Sequence, residues 1–330
     1  MLNYCTLFNS AYLSRGLAMY SSLEEQCSSF HLYIFAFDDD CLDVLLRLKL
    51  KYATVIPLKD FEDPELLAVK STRTAGEYCW TCTSSTIWYC LHTYELHHCT
   101  YIDADLLFFS DPKVLMEEMG EKSVLITDHR YSSMYDQSAL SGIYCVQYIT
   151  IKNNEEGLKA LLWWRNACLD WCYNRFEDGK FGDQKYLDDW TTRFSGVYEL
   201  EHIGGGVAPW NVQQYHIFEK EGKVLVSSSA SFKEAELVFY HFQDFRYGVN
   251  HVFRLTSEMY FLSKDAVDKI YKPYVKALLN AENKIKTVNA EIVFHERLLN
   301  LDWIKRVLGR KVTFFFRGFY RNYYKRKKLV

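Results

Sequence analysis

Apolar and polar positions follow two rhythms along the first part of the chain. Leu2 to Phe8 reads as a short apolar strand. An amphipathic helix is predicted over Arg15 to Gln26, with Leu17, Tyr20 and Leu23 at three-residue spacing. His31 to Phe37 is nearly continuous in apolar residues, as in a strand covered on both faces. A second helix through Leu42, Leu45, Leu46 and Leu48, then a strand over Thr54 to Pro57, completes a βαβαβ alternation. That alternation predicts an α/β protein with a parallel, helix-covered sheet. Residues 76–96 predict a long helix leading into a strand at Asp103, and Val114-Leu115-Met116 begins a short helix. Strands are expected at Val124 to Thr127, Ser141 to Thr150, Val197 to Leu200 and Leu237 to Phe242. Glu155 to Asp178 predicts a helix punctuated by Gly179 and Gly182, and the stretch after Gly204-Gly205-Gly206 reads as loop. No repeat or low-complexity linker is visible, so the simplest division is one domain over residues 1–250 and a helical C-terminal extension over 251–330.

Composition adds less than charge. The 330 residues can bury a substantial core, and 49% hydrophobic with 25% charged residues is ordinary for a globular protein. The 17% aromatic share suits sugar stacking, membrane interfaces or core filling, and does not choose among them. The ten cysteines follow an N-terminus without a basic-then-apolar leader, so reduced, buried cytosolic thiols are expected. Cys79-Trp80-Thr81-Cys82 is half of a zinc ribbon with no second half. No apolar run approaches the roughly 20 residues that span a bilayer.

From Trp303 to Val330 there are ten Lys/Arg and no Asp/Glu, leaving 29 basic against 42 acidic side chains, a net of -13, in residues 1–302. The tail interleaves Phe314, Phe315, Phe316, Phe319, Tyr320, Tyr323 and Tyr324 with basic residues. A basic, aromatic-rich helix there predicts an element drawn to anionic lipid, the other reading being a docked helix with a solvated basic cap. Nucleic acid is not expected, because an acidic body repels phosphates.

The segment with the most chemistry is Thr100-Tyr101-Ile102-Asp103-Ala104-Asp105-Leu106-Leu107-Phe108-Phe109. Two carboxylates at i and i+2 share one face of a regular strand, where an apolar sheet leaves no water to solvate them. A hard divalent cation such as Mg2+ or Mn2+, holding a diphosphate at the strand's end, answers that cost. The alternative is a solvated turn, and Ser110-Asp111-Pro112 places the acids at a strand's carboxyl end, where open α/β sheets bind ligands.

Tyr101-Ile102-Asp103-Ala104-Asp105 resembles the Asp-x-Asp strand of GT-A-fold, nucleotide-sugar-dependent glycosyltransferases. Phe181-Gly182-Asp183-Gln184-Lys185-Tyr186-Leu187 is similar to the Asp-Gln segment of the glycogenin-like and bacterial lipopolysaccharide galactosyltransferases. Val238-Phe239-Tyr240-His241-Phe242 resembles the late strand whose His completes their metal site. Glu77 to Thr81 and His202 to Asn211 look like bacterial cell-surface polysaccharide glycosyltransferases of that clan. The likeness covers about residues 1–250. Asn9 stands where that group usually has Asp, and Gln243, Asp244 and Phe245 follow His241 where Gly and Lys-Pro-Trp are common. Donor-sugar and leaving-phosphate contacts are where these changes fall.

The resemblance implies a GT-A catalytic domain over residues 1–250, with a mostly parallel mixed sheet flanked by helices; the basic helical extension is read from the residues that follow it. It implies Mn2+ or Mg2+ held by Asp103, Asp105 and His241, with Asp103 on metal or donor ribose, and a UDP-sugar donor. Asp183 and Gln184 would face the anomeric carbon and the acceptor hydroxyl. Asp183 would be general base if the reaction inverts, or would stabilise an oxocarbenium-like state if it retains; its other reading is a helix N-cap. Lys70 and Arg73 are candidates for phosphate or nucleotide, although Arg73 and Glu77 also fit an i, i+4 ion pair. Tyr12 is a candidate to stack on uracil or to fill core, the triple Gly would let backbone approach a ligand, and Trp210 and Asn211 would meet the acceptor. The expected role is transfer of a hexose to a glycan or lipid-linked acceptor in cell-surface polysaccharide synthesis, by a cytoplasmic protein peripheral to the inner membrane face. Two other classes are a sugar-phosphate nucleotidyltransferase and a non-catalytic scaffold. The first expects a Gly-rich, Arg-containing loop after the first strand, which Phe8 to Tyr12 lacks.

Overall fold

The computed structural model describes residues 1–228, 232–248, 251–292 and 321–330. A seven-stranded sheet is built from β1 (Leu2–Phe8), β2 (Phe30–Ala36), β3 (Ala53–Pro57), β4 (His98–Ile102), β6 (Val124–Asp128), β7 (Tyr144–Lys152) and β8 (Val197–Glu199), with the short β5 (Leu106–Phe108) outside it. The sheet's order is β3-β2-β1-β4-β7-β6-β8. β1, β2, β3 and β4 run parallel, β7 is antiparallel to β4 and β6, and β8 is parallel to β6. The direction of build reverses between β1 and β4, and ligands of open α/β sheets bind outside the strand ends at such a point.

Both faces are covered, which is why β1 and β2 read as mostly apolar runs, interrupted by Asn3, Thr6 and His31. Tyr4, Phe8, Leu32, Ile34 and Ala36 face one core cluster with α1 (Leu13–Gln26) and α2 (Asp39–Leu48). The intervening Cys5, Leu7, Tyr33 and Phe35 face another, with α3 (Ala75–Thr93) and α4 (Glu155–Asp170). The acids after β2 turn out to start α2: Asp38 accepts from Cys41 N at 2.7 Å and from Ser10 N and Oγ at 2.9 and 2.8 Å. Thr74 and Glu77 form a capping box at the start of α3. All ten cysteines are unpaired, and all but Cys79 are buried.

Two expectations are corrected here. α4 ends at Asp170 rather than Asp178; Trp171 is extended, and its ring and Cys172 are buried from an irregular segment, so the apolar stripe outlasted the helix. The loop expected after the triple Gly contains β9 (Tyr215–Lys220), β10 (Lys223–Ser228) and β11 (Lys233–Glu236), an antiparallel meander. Its first turn is Glu221-Gly222, both with positive φ (54° and 76°), as two-residue hairpin turns require. The last core strand is β12 (Phe239–His241), paired antiparallel with β5.

The extension is helical over α5 (Lys272–Val288), whose Tyr274, Val275, Leu278 and Ile285 join the same core cluster as Phe8 and Leu17. Phe242 and Tyr274 stack with ring centroids 3.6 Å apart. Short strands β13 (Arg246–Tyr247) and β14 (Val252–Arg254) precede it. The tail departs from the expected helix where it is described: Arg321–Val330 contains β15 (Tyr323–Lys325), paired with β14. Asn322 is buried and donates to Ser257 O (2.7 Å) and Tyr260 O (2.9 Å), and Leu329 is buried. Phe314 to Tyr320, most of the aromatic run, lie outside the described residues. No described helix is long and apolar enough to cross a membrane.

Candidate active site

β4 stops at Ile102, so Asp103 and Asp105 are not on one strand face as expected. A turn over 103–105, with Leu106 N donating to Asp103 O at 3.3 Å, carries both carboxylates beyond the carboxyl end of β4, the central strand. The β5–β12 register then sets His241 opposite Leu106, and Phe242 N donates to Asp105 O at 3.0 Å. His241 Nε2 stands 3.2 Å from Asp105 Oδ1 and 3.6 Å from Asp103 Oδ2. Ligand atoms of the three residues all lie within 4.8 Å of one another. Two carboxylate oxygens and an imidazole nitrogen converging in this way fit Mn2+ well.

Burial and mutual charge set the electrostatics of this cluster. Burial raises the Asp103 carboxyl to about 6, against the pull of His241 and with the repulsion of Asp105 added; Tyr101 Oη donates to it at 3.0 Å. Burial opposes the charge on Asp105 as well, but His241 outweighs it and holds that carboxyl below its ordinary value. Burial likewise disfavours the imidazolium, yet Asp105 raises His241 well above its ordinary range.

These three residues sit in a cleft of about 740 Å³, whose walls also include Asn9, Tyr12, Trp80, Thr83, Asp183, Gln184 and Trp210. Asp183 is 5% exposed and follows Gly182, whose φ of +54° turns the chain after a long loop. Trp164 Nε1 pins its carbonyl at 2.8 Å. Burial lifts its carboxyl to about 7, partly offset by a bond from Thr83, with Asp103 adding repulsion. The cap reading fails: the chain continues into one 3-10 turn over Lys185–Leu187, with Gln184 at its N-cap and no side-chain cap bond. Gln184 Nε2 donates to Ser141 O at 2.7 Å.

Tyr12 stands where cleft and core meet. It lines the cleft, while the buried Arg15 guanidinium covers its ring at 4.3 Å. Lys70 and Arg73 do not line the cleft. Lys70 pairs with Glu62 at 2.6 Å, and Arg73 lies 3.9 Å over the Tyr173 ring and donates to Leu169 O. Nor does Arg73 pair with Glu77, whose carboxylate is taken by Thr74 and by Asn174 N. Asn211 is fully buried as a brace, donating to His129 O and Gly206 O and accepting from Ala208 N. The triple Gly packs closely against the protein's own chain: a Cβ on Gly204 would stand 1.9 Å from Glu236 O.

The sequence reading missed His129, Tyr131, Gln137, Cys145 and Tyr260 in the cleft wall. His129 and Tyr131 follow β6, and their position just beyond a strand's carboxyl end was the available signal. His129 Nδ1 lies 3.0 Å from Ile143 O, its ring stacks on Tyr131 at 4.6 Å, and burial depresses its pKa to about 3.

No protein-family model matches the chain. The uncharacterized protein YfnD of Bacillus subtilis (strain 168) is 30% identical over 280 residues, covering 83% of this chain and 87% of the relative. YfnF of the same organism is 33% identical over 251 residues, covering 74% and 81%. Among solved structures, the apo WbbM bifunctional glycosyltransferase superposes with a TM-score of 0.51 at 10% identity, over 88% of this chain and 52% of that one. At such identity the likeness concerns the fold, which is the GT-A-like α/β fold of glycosyltransferases. By sequence, the chain belongs to the family of YfnD and YfnF.

Proposed function

We propose that the protein is a metal-dependent glycosyltransferase that moves a hexose from a UDP-sugar to a glycan or lipid-linked acceptor, in the synthesis of cell-surface polysaccharide. The observation that carries this reading is the meeting of Asp103, Asp105 and His241 on the cleft floor, at the reversal point of a GT-A-like sheet. Residues 1–250 supply the named cleft residues except Tyr260, and α5 backs the late strand through the stack of Tyr274 on Phe242.

Asp103, Asp105 and His241 would hold Mn2+ or Mg2+. Such an ion screens a diphosphate and, as a Lewis acid, stabilises the charge that builds on the leaving phosphate. Tyr12, backed by Arg15, offers its free edge or face to a base. Asp183 lines the same cleft with a carboxyl near neutrality, able to take a proton from an acceptor hydroxyl or to face developing positive charge. Gln184, tethered to Ser141, orients the same segment. Trp80 and Trp210 supply apolar faces for a sugar ring. A membrane-facing role, with the protein peripheral to an anionic inner leaflet, accords with the basic C-terminus.

A thermal-shift panel of nucleotide sugars, with and without Mn2+ and repeated with Asp105→Ala, tests the reading. One UDP-sugar should stabilise the protein only with metal and only with Asp105 intact. Stabilisation by nucleoside triphosphates and not by diphosphosugars would favour nucleotidyl transfer instead.

A further inference from the structure

Five large apolar side chains are exposed on two segments that flank one side of the cleft: Met134 (80%), Leu140 and Ile143 between β6 and β7, and Met259 (54%) and Phe261 (52%) after β14. Side chains tie the two segments together. Gln137 Nε2 donates to Tyr260 Oη at 3.0 Å, Phe261 N donates to Tyr135 Oη at 3.1 Å, and the Tyr135 and Tyr260 rings meet edge-on at 5.1 Å. The patch is continuous with the cleft, because Tyr131, Gln137, Ser141 and Tyr260 belong to its wall. It is also tied to the Asp183 segment, through Gln184 to Ser141 O, Lys185 to Ser138 O, and Ile143 N to Asp188.

Charge lies on the C-terminal strand tied to it, with Lys325 opposite Val252 and Arg326 N on His251 O, at the end of β14 away from Met259 and Phe261. Asn322 binds the carbonyls of Ser257 and Tyr260, and Tyr323 Oη donates to Glu258 at 2.9 Å, so the C-terminal strand is fastened to the segment that carries Met259 and Phe261. Residues 321–330 contain Arg321, Lys325, Arg326, Lys327 and Lys328 and no acid, and the last four are exposed. Apolar side chains on segments tied to a basic strand match an anionic bilayer, with insertion below the headgroups and attraction at their level.

We propose that this rim is a lipid-docking face, formed by Met134, Met259 and Phe261 with the basic C-terminal strand, which turns the cleft mouth toward an anionic membrane. It deepens the glycosyl-transfer reading, on which it rests for the acceptor alone: the acceptor would be an amphiphile whose apolar part stays in the bilayer beneath the cleft.

Flotation of the full chain with vesicles of phosphatidylcholine containing about 30% phosphatidylglycerol, in the absence of donor, tests the face itself. Wild type should float, and should float much less with pure phosphatidylcholine. The triple variant Met134→Ser/Met259→Ser/Phe261→Ser, all surface positions, should lose roughly tenfold or more in partitioning. Its thermal midpoint should stay unchanged, and so should its metal-dependent stabilisation by a UDP-sugar. Flotation of the triple variant equal to wild type would overturn the proposal, as would a wild type that does not float or that prefers neutral vesicles. Failure of the glycosyl-transfer reading would appear separately, as absent UDP-sugar stabilisation in a protein that still floats.

Discussion

Asp183 binds a proton near neutrality because its carboxyl is buried beside Asp103, with the bond from Thr83 too little to offset that. Its folded pKa of about 7 lies above the ordinary carboxylate value, so between about pH 4 and 7 the folded state holds more protons than the unfolded one. Unfolding free energy contributed by this group therefore falls as pH rises through that window, and the full penalty is present above it. Asp183→Asn should raise the thermal midpoint of metal-free protein at about pH 8 by about 2–4 °C, equivalent to about 1 kcal/mol, and by less at about pH 4, while removing transfer. A midpoint gain that is the same at both pH values would show that Asp183 does not titrate as described. At Asp105, replacement by Ala should lower turnover by at least about a hundredfold, since an electrostatic contact to developing charge is worth roughly 3 kcal/mol.

At the scale of elements, the site depends on a short pairing more than on a long one. β5 and β12 are three residues each, yet their register alone sets His241 beside Asp105. The loop that leads to β12 is held by Gly204, whose missing side chain lets Val238 N reach Gly204 O at 2.8 Å while Glu236 O passes close by. Gly204→Ala must displace backbone and should destabilise the protein by about 1–3 kcal/mol or more, read as a lower denaturant midpoint with unchanged slope. Gly222→Ala, at the exposed Glu221-Gly222 turn with φ of +76°, meets no neighbour and should cost only about 1 kcal/mol. Equal costs at the two sites would refute this distinction between crowding and backbone strain.

Across the whole molecule, the C-terminus is part of the fold as well as a source of charge. β15 pairs with β14, Asn322 satisfies two carbonyls, and Leu329 is buried in the main core cluster. Deleting residues 321–330 should therefore lower stability by a few kcal/mol, about 2–4 °C for each, besides removing five basic groups. A truncated protein that melts with wild type would mean the strand contributes nothing. Because truncation changes both fold and charge, surface substitutions at the cleft rim are the cleaner probe of lipid docking.

Much of this was legible in the sequence. Mostly apolar runs at Leu2–Phe8 and Phe30–Ala36 announce strands covered on both faces, because side-chain period and burial are local consequences of residue type. The Asp-x-Asp pair was likewise visible as charge without solvation, and Asp183-Gln184 and His241 through the resemblance of their segments to those of glycosyltransferases. Tertiary structure decided the rest. Whether two carboxylates share a strand face or a turn, and whether Arg73 meets phosphate or the Tyr173 ring, depends on partners far along the chain. His129, Tyr131 and Tyr260 entered the cleft wall through packing between segments more than a hundred residues apart, a proximity that periodicity does not encode.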